Sequence, residues 1–180
     1  MFTRPVFLLG MMGAGKTSVG RELASRHGAT FIDLDARIER VFGAGVAQLF
    51  ELGEAYFRAC ERAALDSLVA EPGFRMARAV VATGGGVVTD AANMATMAAA
   101  GRLVYLRANV QTLCQRLSTP GERSRRPLLA DNADALTQRL TELLQARAAA
   151  YARACVVVDA SGSVPEVASL VERALATEQS

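Results

Sequence analysis

Gly10-Met11-Met12-Gly13-Ala14-Gly15-Lys16-Thr17 is the stretch that decides the fold. It fits G-x-x-x-x-G-K-[ST], follows the apolar run Pro5-Val6-Phe7-Leu8-Leu9, and opens a helical pattern from Lys16 to about His27. Glycines let backbone N–H groups curl around phosphate oxygens, and the helix N-terminus adds its partial positive charge. In this pattern lysine reaches the β- and γ-phosphates and the Thr17 hydroxyl binds Mg²⁺. Gly13, Ala14, Gly15, Lys16, Thr17 and Ser18 are therefore the candidate nucleotide-binding run. A glycine-rich turn that merely precedes a helix is the bland alternative. Eight positions set between a strand and a helix weigh against it.

Composition sharpens one of those residues. The chain has 180 residues, 20 Lys+Arg against 18 Asp+Glu, and a formal net charge of +2. Lys16 is its single lysine and every other cation is arginine. A coding bias toward arginine explains the surface but not the survivor. Inside a tight backbone cradle a compact ammonium fits where a planar guanidinium is too wide.

The same arithmetic excludes several classes. A length of 180 residues favours one domain, 1–180, with a sizeable core. A 51% hydrophobic, 21% charged chain is globular rather than disordered. The near-neutral balance gives no drive toward nucleic acid or anionic membrane. Cys60, Cys114 and Cys155 are odd in number, lack CxxC spacing and fit a reducing compartment. No signal-peptide pattern follows Val6–Leu9, and no 18 apolar residues run together, so a cytoplasmic location is expected.

Working outward, Thr30-Phe31-Ile32-Asp33, Ala79-Val80-Val81-Ala82, Leu103-Val104-Tyr105-Leu106 and Val156-Val157-Val158 are four further strand candidates. Short apolar runs without alternation suit strands buried on both faces of a parallel sheet. Helical periodicity falls between them: through Ile38, Val41 and Phe42, then Val46, Leu49 and Phe50, then Ala55 to Leu68. The expected fold is α/β, a three-layer αβα arrangement around a five-stranded parallel sheet, with the phosphate loop of P-loop NTPases. Ala91 to Ala100 is an alanine-rich helix former. Residues 118–132, S-T-P-G-E-R-S-R-R-P-L-L-A-D-N, are too polar and too long for an ordinary connection and suit a mobile lid.

Chemistry beyond phosphate binding rests on Asp33 and Asp35. No NKxD-type guanine signature occurs, so ATP is the expected donor. At the end of the second strand two carboxylates at period two face the same way, at the sheet edge where α/β folds bind ligands. One suits the Mg²⁺ shell and the other a substrate hydroxyl. Either could instead cap the helix that follows.

In series, G-M-M-G-A-G-K-T-S-V-G-R-E-L-A, F-I-D-L-D, F-R-x-x-E, G-G-G and R-R-P-L-L resemble the shikimate kinase family, from Val6 to about Pro165. The resemblance implies transfer of the γ-phosphate of ATP to the 3-hydroxyl of shikimate, on the route to aromatic amino acids. It places Asp35 on the shikimate hydroxyls, as base or as positioner, and Asp33 beside Mg²⁺ through water. Arg58 and Arg147 match the two arginines on the shikimate carboxylate, Arg58 in a helical segment spanning about 35–65. Gly84, Gly85 and Gly86 match a stretch whose backbone lies against the substrate. Arg126 matches the lid arginine on the transferring phosphate, and Arg116 a position that packs against adenine. Arginine forks suit a carboxylate better than lysine does. By spacing alone, Arg58 and Glu61 would be only an i,i+3 surface pair.

Two departures from the family pattern stand out. The loop Asp159 to Pro165 lacks an arginine that some members carry, leaving backbone or a serine, Ser163, for the adenine. The lid is lengthened by Pro120-Gly121-Glu122-Arg123, and Arg123 and Arg125 compete with Arg126 for the phosphate contact. Shikimate, ATP and Mg²⁺ are thus the expected partners of a monomer that binds neither nucleic acid nor membrane. A gluconate-type kinase and a non-catalytic nucleotide-binding module are the alternatives. His27 is expected to cap the end of its helix, Met94 and Met97 to lie in the core, and the cysteines to be small buried hydrophobes.

Overall fold

The computed structural model describes residues 2–119, 133–154 and 156–177. Five strands, β1 (Val6–Leu9), β2 (Thr30–Asp33), β3 (Ala79–Ala82), β4 (Arg102–Arg107) and β5 (Val156–Asp159), form one sheet in the order β2-β3-β1-β4-β5. All four pairings are parallel, with Val6 opposite Val80 and Arg102, Thr30 opposite Ala79, and Val104 opposite Val156. The helices are α1 (Lys16–His27), α2 (Leu34–Phe42), α3 (Val46–Glu51), α4 (Glu54–Val69), α5 (Ala91–Ala100), α6 (Val110–Leu117), α7 (Ala133–Tyr151) and α8 (Val164–Thr177). Single 3₁₀ turns lie at Phe74–Met76 and Val87–Thr89. No helix among the described residues is long and apolar enough to cross a membrane.

Burial follows position in the sheet. β1 and β3 are buried at every residue, as their unbroken apolar runs predict. β5 departs from that expectation. It lies at an edge and alternates buried with exposed, leaving Val157 49% exposed. A run of valines suits either environment, so composition cannot tell an edge strand from a central one. The apolar side chains of the central strands and the inner helix faces join one core, which includes Met94 and Met97.

Helix α1 closes on Gly28, whose left-handed backbone (φ 55°) directs its N–H to the carbonyls of Ala24 and Ser25. His27 therefore caps nothing, contrary to expectation. Its Nε2 lies 2.9 Å from Glu172 Oε1 on α8, and its ring packs against Phe2. Arg26 joins the same contact, donating to Glu172, Ser169 and the Pro165 carbonyl. These bonds tie α1, which carries the phosphate loop at its other end, to the last helix. Because every strand points the same way, Gly10, Leu34 and Thr83 leave β1, β2 and β3 along one edge.

Candidate functional site

The first component is the loop between β1 and α1. Gly13 and Gly15 have φ of 80° and 89°, a conformation that side-chain-bearing residues rarely adopt, and the glycines of the motif allow it. Ala14 N–H donates to Met11 O, folding the loop back on itself. Gly15 caps α1 without a side-chain bond, and the first turn holds no acid, so its N–H groups face an anion unopposed. Lys16 Nζ donates to the carbonyls of Gly10 and Met11 at 2.7 and 2.9 Å, which holds the ammonium over the cradle.

Arg116, near the end of α6, joins this loop to the one after β5. It donates to Ala160 O at 2.7 Å and Gly162 O at 3.1 Å, with longer contacts to the carbonyls of Gly13, Ala14 and Ser161. The position expected beside the adenine is thus next to the phosphate loop, with its guanidinium bound to backbone. Ser163 is also occupied. Its N–H and hydroxyl both donate to Glu166 Oε2, at 2.8 and 2.6 Å, starting α8 and holding that carboxyl below its usual range.

The second component is acidic. Asp33 is the N-cap of α2, and its Oδ1 accepts from the N–H groups of Asp35 and Ala36 at 3.1 and 3.3 Å. Its Oδ2 accepts from Thr17 Oγ1 at 3.0 Å. One oxygen of Asp33 thus caps α2 while the other meets the threonine of the phosphate loop. The period-two argument for the pair does not survive, because the cap turns the chain helical at Leu34 and puts Asp35 in the first turn of α2. Asp35 still reaches the same sheet edge. Its Oδ1 lies 2.9 Å from where a Cβ on Gly84 would sit.

A hydroxyl and a carboxylate at 3.0 Å are hard oxygen donors of the kind Mg²⁺ takes, since that ion keeps several waters and phosphate oxygens in its shell. Among the described residues no group of three or more His, Cys, Asp or Glu could hold a metal on protein ligands alone. Thr17 and Asp33 therefore fit a Mg²⁺ that brings phosphate oxygens and waters as its other ligands.

The third component surrounds Gly84-Gly85-Gly86. Thr83, buried at the end of β3, bonds through N–H and hydroxyl to Leu8 O and directs the glycines over β1. None of the three has a positive φ, so it is space rather than backbone freedom that calls for glycine here. A Cβ on Gly84 would sit 2.9 Å from both Asp35 Oδ1 and Glu61 Oε1. One on Gly86 would overlap the Arg58 guanidinium, 2.7 Å from Cζ. At Gly84 and Gly86 the protein's own side chains thus fill the volume, a reason the sequence did not supply.

Arg58 on α4 donates to Glu61 Oε2 at 2.8 Å and Glu54 Oε1 at 3.2 Å, and lies over the stacked rings of Phe50 and Phe57. The surface-pair reading fails because Glu61 is 0% exposed. Burial raises the Glu61 carboxyl above its usual range, against the pull of Arg58. Across the glycines, Arg147 on α7 donates to Gly85 O at 2.9 Å and lies against Met11 of the phosphate loop. Tyr151, one turn on, stacks on Tyr105 with its hydroxyl 3.4 Å from the same carbonyl, and burial pushes that hydroxyl up to about 12. Sequence reasoning missed Tyr151, although its i,i+4 spacing from Arg147 was visible.

Asp35, Arg58, Glu61, Arg147 and the three glycines thus converge beside the phosphate loop. Arg123, Arg125 and Arg126, with residues 120–132 of the lid, lie outside the described residues, as does Cys155. Cys60 is buried as expected, whereas Cys114 is half-buried with its thiol 3.4 Å from the Thr137 hydroxyl.

The chain is similar over most of its length to known shikimate kinases. A family model described as shikimate kinase matches residues 12–176. The chain is 46% identical to a shikimate kinase of Gloeobacter violaceus over 173 residues, covering 95% of this chain and 92% of that one. A solved shikimate kinase from Acinetobacter baumannii, in complex with shikimate, superposes with a TM-score of 0.85 at 34% identity, over 97% of this chain and 94% of the other. A gluconokinase from Sinorhizobium meliloti reaches a TM-score of 0.60 at 19% identity over 98% and 97% of the chains, a likeness of fold alone.

Proposed function

Because the chain belongs to the shikimate kinase family, we propose that it transfers the γ-phosphate of ATP to the 3-hydroxyl of shikimate, yielding shikimate 3-phosphate and ADP. The observation that carries this reading is the pairing of two arginines, Arg58 and Arg147, across a glycine stretch that Asp35 also reaches. Carboxylate, hydroxyl and phosphate of one small molecule need cations and an acid set apart in this way.

Residues 10–18 hold the phosphates, Lys16 moving from the Gly10 and Met11 carbonyls onto phosphate oxygens of higher charge. Arg116 and the backbone of the loop after β5 border the adenine, the Ser163 hydroxyl being bound to Glu166. Thr17 and, by family resemblance through water, Asp33 would hold Mg²⁺. When bound, that ion neutralises charge on the phosphoryl oxygens. Arg58 and Arg147 fix the carboxylate by forked hydrogen bonds, and the backbone of Gly84 to Gly86, by family resemblance, lies against the substrate. Asp35 orients the 3-hydroxyl and takes its proton as the O–P bond forms. Arg126, by family resemblance, contacts the transferred phosphate.

The transfer is tested by incubating the protein with ATP, Mg²⁺ and shikimate and detecting the phosphate ester by ³¹P NMR. Asp35→Asn tests the base. At saturating shikimate it should lose about 10²–10⁴-fold in kcat, the usual contribution of a positioned base. Near-normal turnover would leave Asp35 with positioning alone.

A further inference from the structure

Glu61 is in an unusual electrostatic position. It is fully buried, yet only Oε2 is paired, with Arg58 at 2.8 Å. Oε1 is buried with no hydrogen-bond partner among the described residues. Oε1 and Asp35 Oδ1 each lie 2.9 Å from the point where a Gly84 Cβ would be, so the two oxygens are no farther apart than twice that distance. Two carboxylates facing across a glycine, one with an orphaned oxygen, form an arrangement that a single added proton would complete.

The charged groups around Glu61 come from three helices. Arg58 on its own helix α4, itself held by Glu54, and Arg147 on α7 favour the ionised form, whereas burial and Asp35 on α2 oppose it. Both favouring groups are the arginines assigned to the substrate carboxylate. A carboxylate seated on them neutralises the cations that keep Glu61 ionised and adds a third negative charge beside two others.

We propose that Glu61 takes up a proton from solvent as the carboxylate of shikimate binds to Arg58 and Arg147, and returns it when the product leaves. The proton sits on Oε1, which becomes a donor toward Asp35 Oδ1, directly or through a water. No other bond forms or breaks. Asp35 thereby stays ionised and gains a donor that holds it toward the hydroxyl, which makes Glu61 a positioning residue. The linkage has a definite sign. A group that binds its proton more tightly in the complex than in the free protein makes ligand affinity rise as pH falls, by up to about tenfold per pH unit for one full proton.

The inference rests on the clamp being a shikimate carboxylate site. The test is calorimetric titration of shikimate into the full chain at one pH, in two buffers of different ionisation enthalpy such as phosphate and Tris. The expected heats differ between the buffers, giving uptake of a fraction of a proton per shikimate, and Kd rises with pH. Glu61→Gln, an isostere of the protonated acid, should bind with buffer-independent heat and an affinity flat in pH. Binding by the wild type without buffer dependence overturns the proposal, whether or not the variant folds. So does unchanged proton uptake in Glu61→Gln. A chain that binds no shikimate at all overturns the clamp reading, and this inference with it.

Discussion

Gly86→Ala separates space from backbone freedom at the clamp. Gly86 has φ −98° and ψ −8°, so alanine enters its backbone without strain. The new methyl would meet Arg58 Nη1 at 2.6 Å and Cζ at 2.7 Å. Arg58 must therefore swing away, and its partly exposed side chain gives it a route toward solvent. Two things are then lost. Glu61 loses its hydrogen bond from Arg58 in a buried setting, and the substrate carboxylate loses one of its two cations. A hydrogen bond to a charged group contributes about 1.5–3 kcal/mol, so the KM for shikimate should rise about 10- to 100-fold. The KM for ATP should stay within about twofold, since the phosphate loop is untouched. Steady-state kinetics with each substrate varied in turn measures both. The double variant Gly86→Ala/Arg58→Ala should be no worse than Arg58→Ala, because both substitutions remove the same contact. A Gly86→Ala enzyme with the wild-type KM for shikimate, or a double variant in which the two effects add, would refute the reasoning.

Three further predictions concern the other components. Asp33→Asn keeps an oxygen to cap α2 but removes the charge, so thermal stability should stay within about 1 kcal/mol while the Mg²⁺ concentration for half-maximal rate rises, as a metal titration would show. Arg116→Leu frees the carbonyls of Ala160 and Gly162, and should raise the KM for ATP with little change for shikimate in the same kinetic assay. Lys16→Arg should leave the circular dichroism spectrum and melting temperature near wild type while removing most turnover, because a guanidinium is too wide for the cradle. A fully active Lys16→Arg enzyme would return the lone lysine to coincidence.

The parts of the molecule legible in the sequence are those set by local chemistry. The phosphate motif gave β1, its loop and α1, the last with bounds that coincide with Lys16–His27. Ala91–Ala100 was equally plain as an alanine-rich helix former, and the structure bounds it with Asp90 as its N-cap and Gly101 at its end. Asp33 could be read either as a cap or as a phosphate-side acid because one carboxylate has oxygens enough for both. What could not be read depends on partners far along the chain. Nothing near His27 points to Glu172, and nothing near Gly86 says that Arg58 fills the space above it. Three valines in β5 look like a central strand, since an apolar run does not say how many neighbours it has. The spacing of Arg58 and Glu61 gave their contact but not the burial that makes Glu61 a carboxyl of raised proton affinity.

The central claim is that phosphate leaves ATP for shikimate in particular, and ADP release with three acceptor conditions tests it most directly. With Mg²⁺ and ATP fixed, the account predicts rapid ADP formation with shikimate, matched mole for mole by shikimate 3-phosphate. It predicts little with gluconate and little with no acceptor. Equal rates under all three conditions, or a faster rate with gluconate, would contradict it.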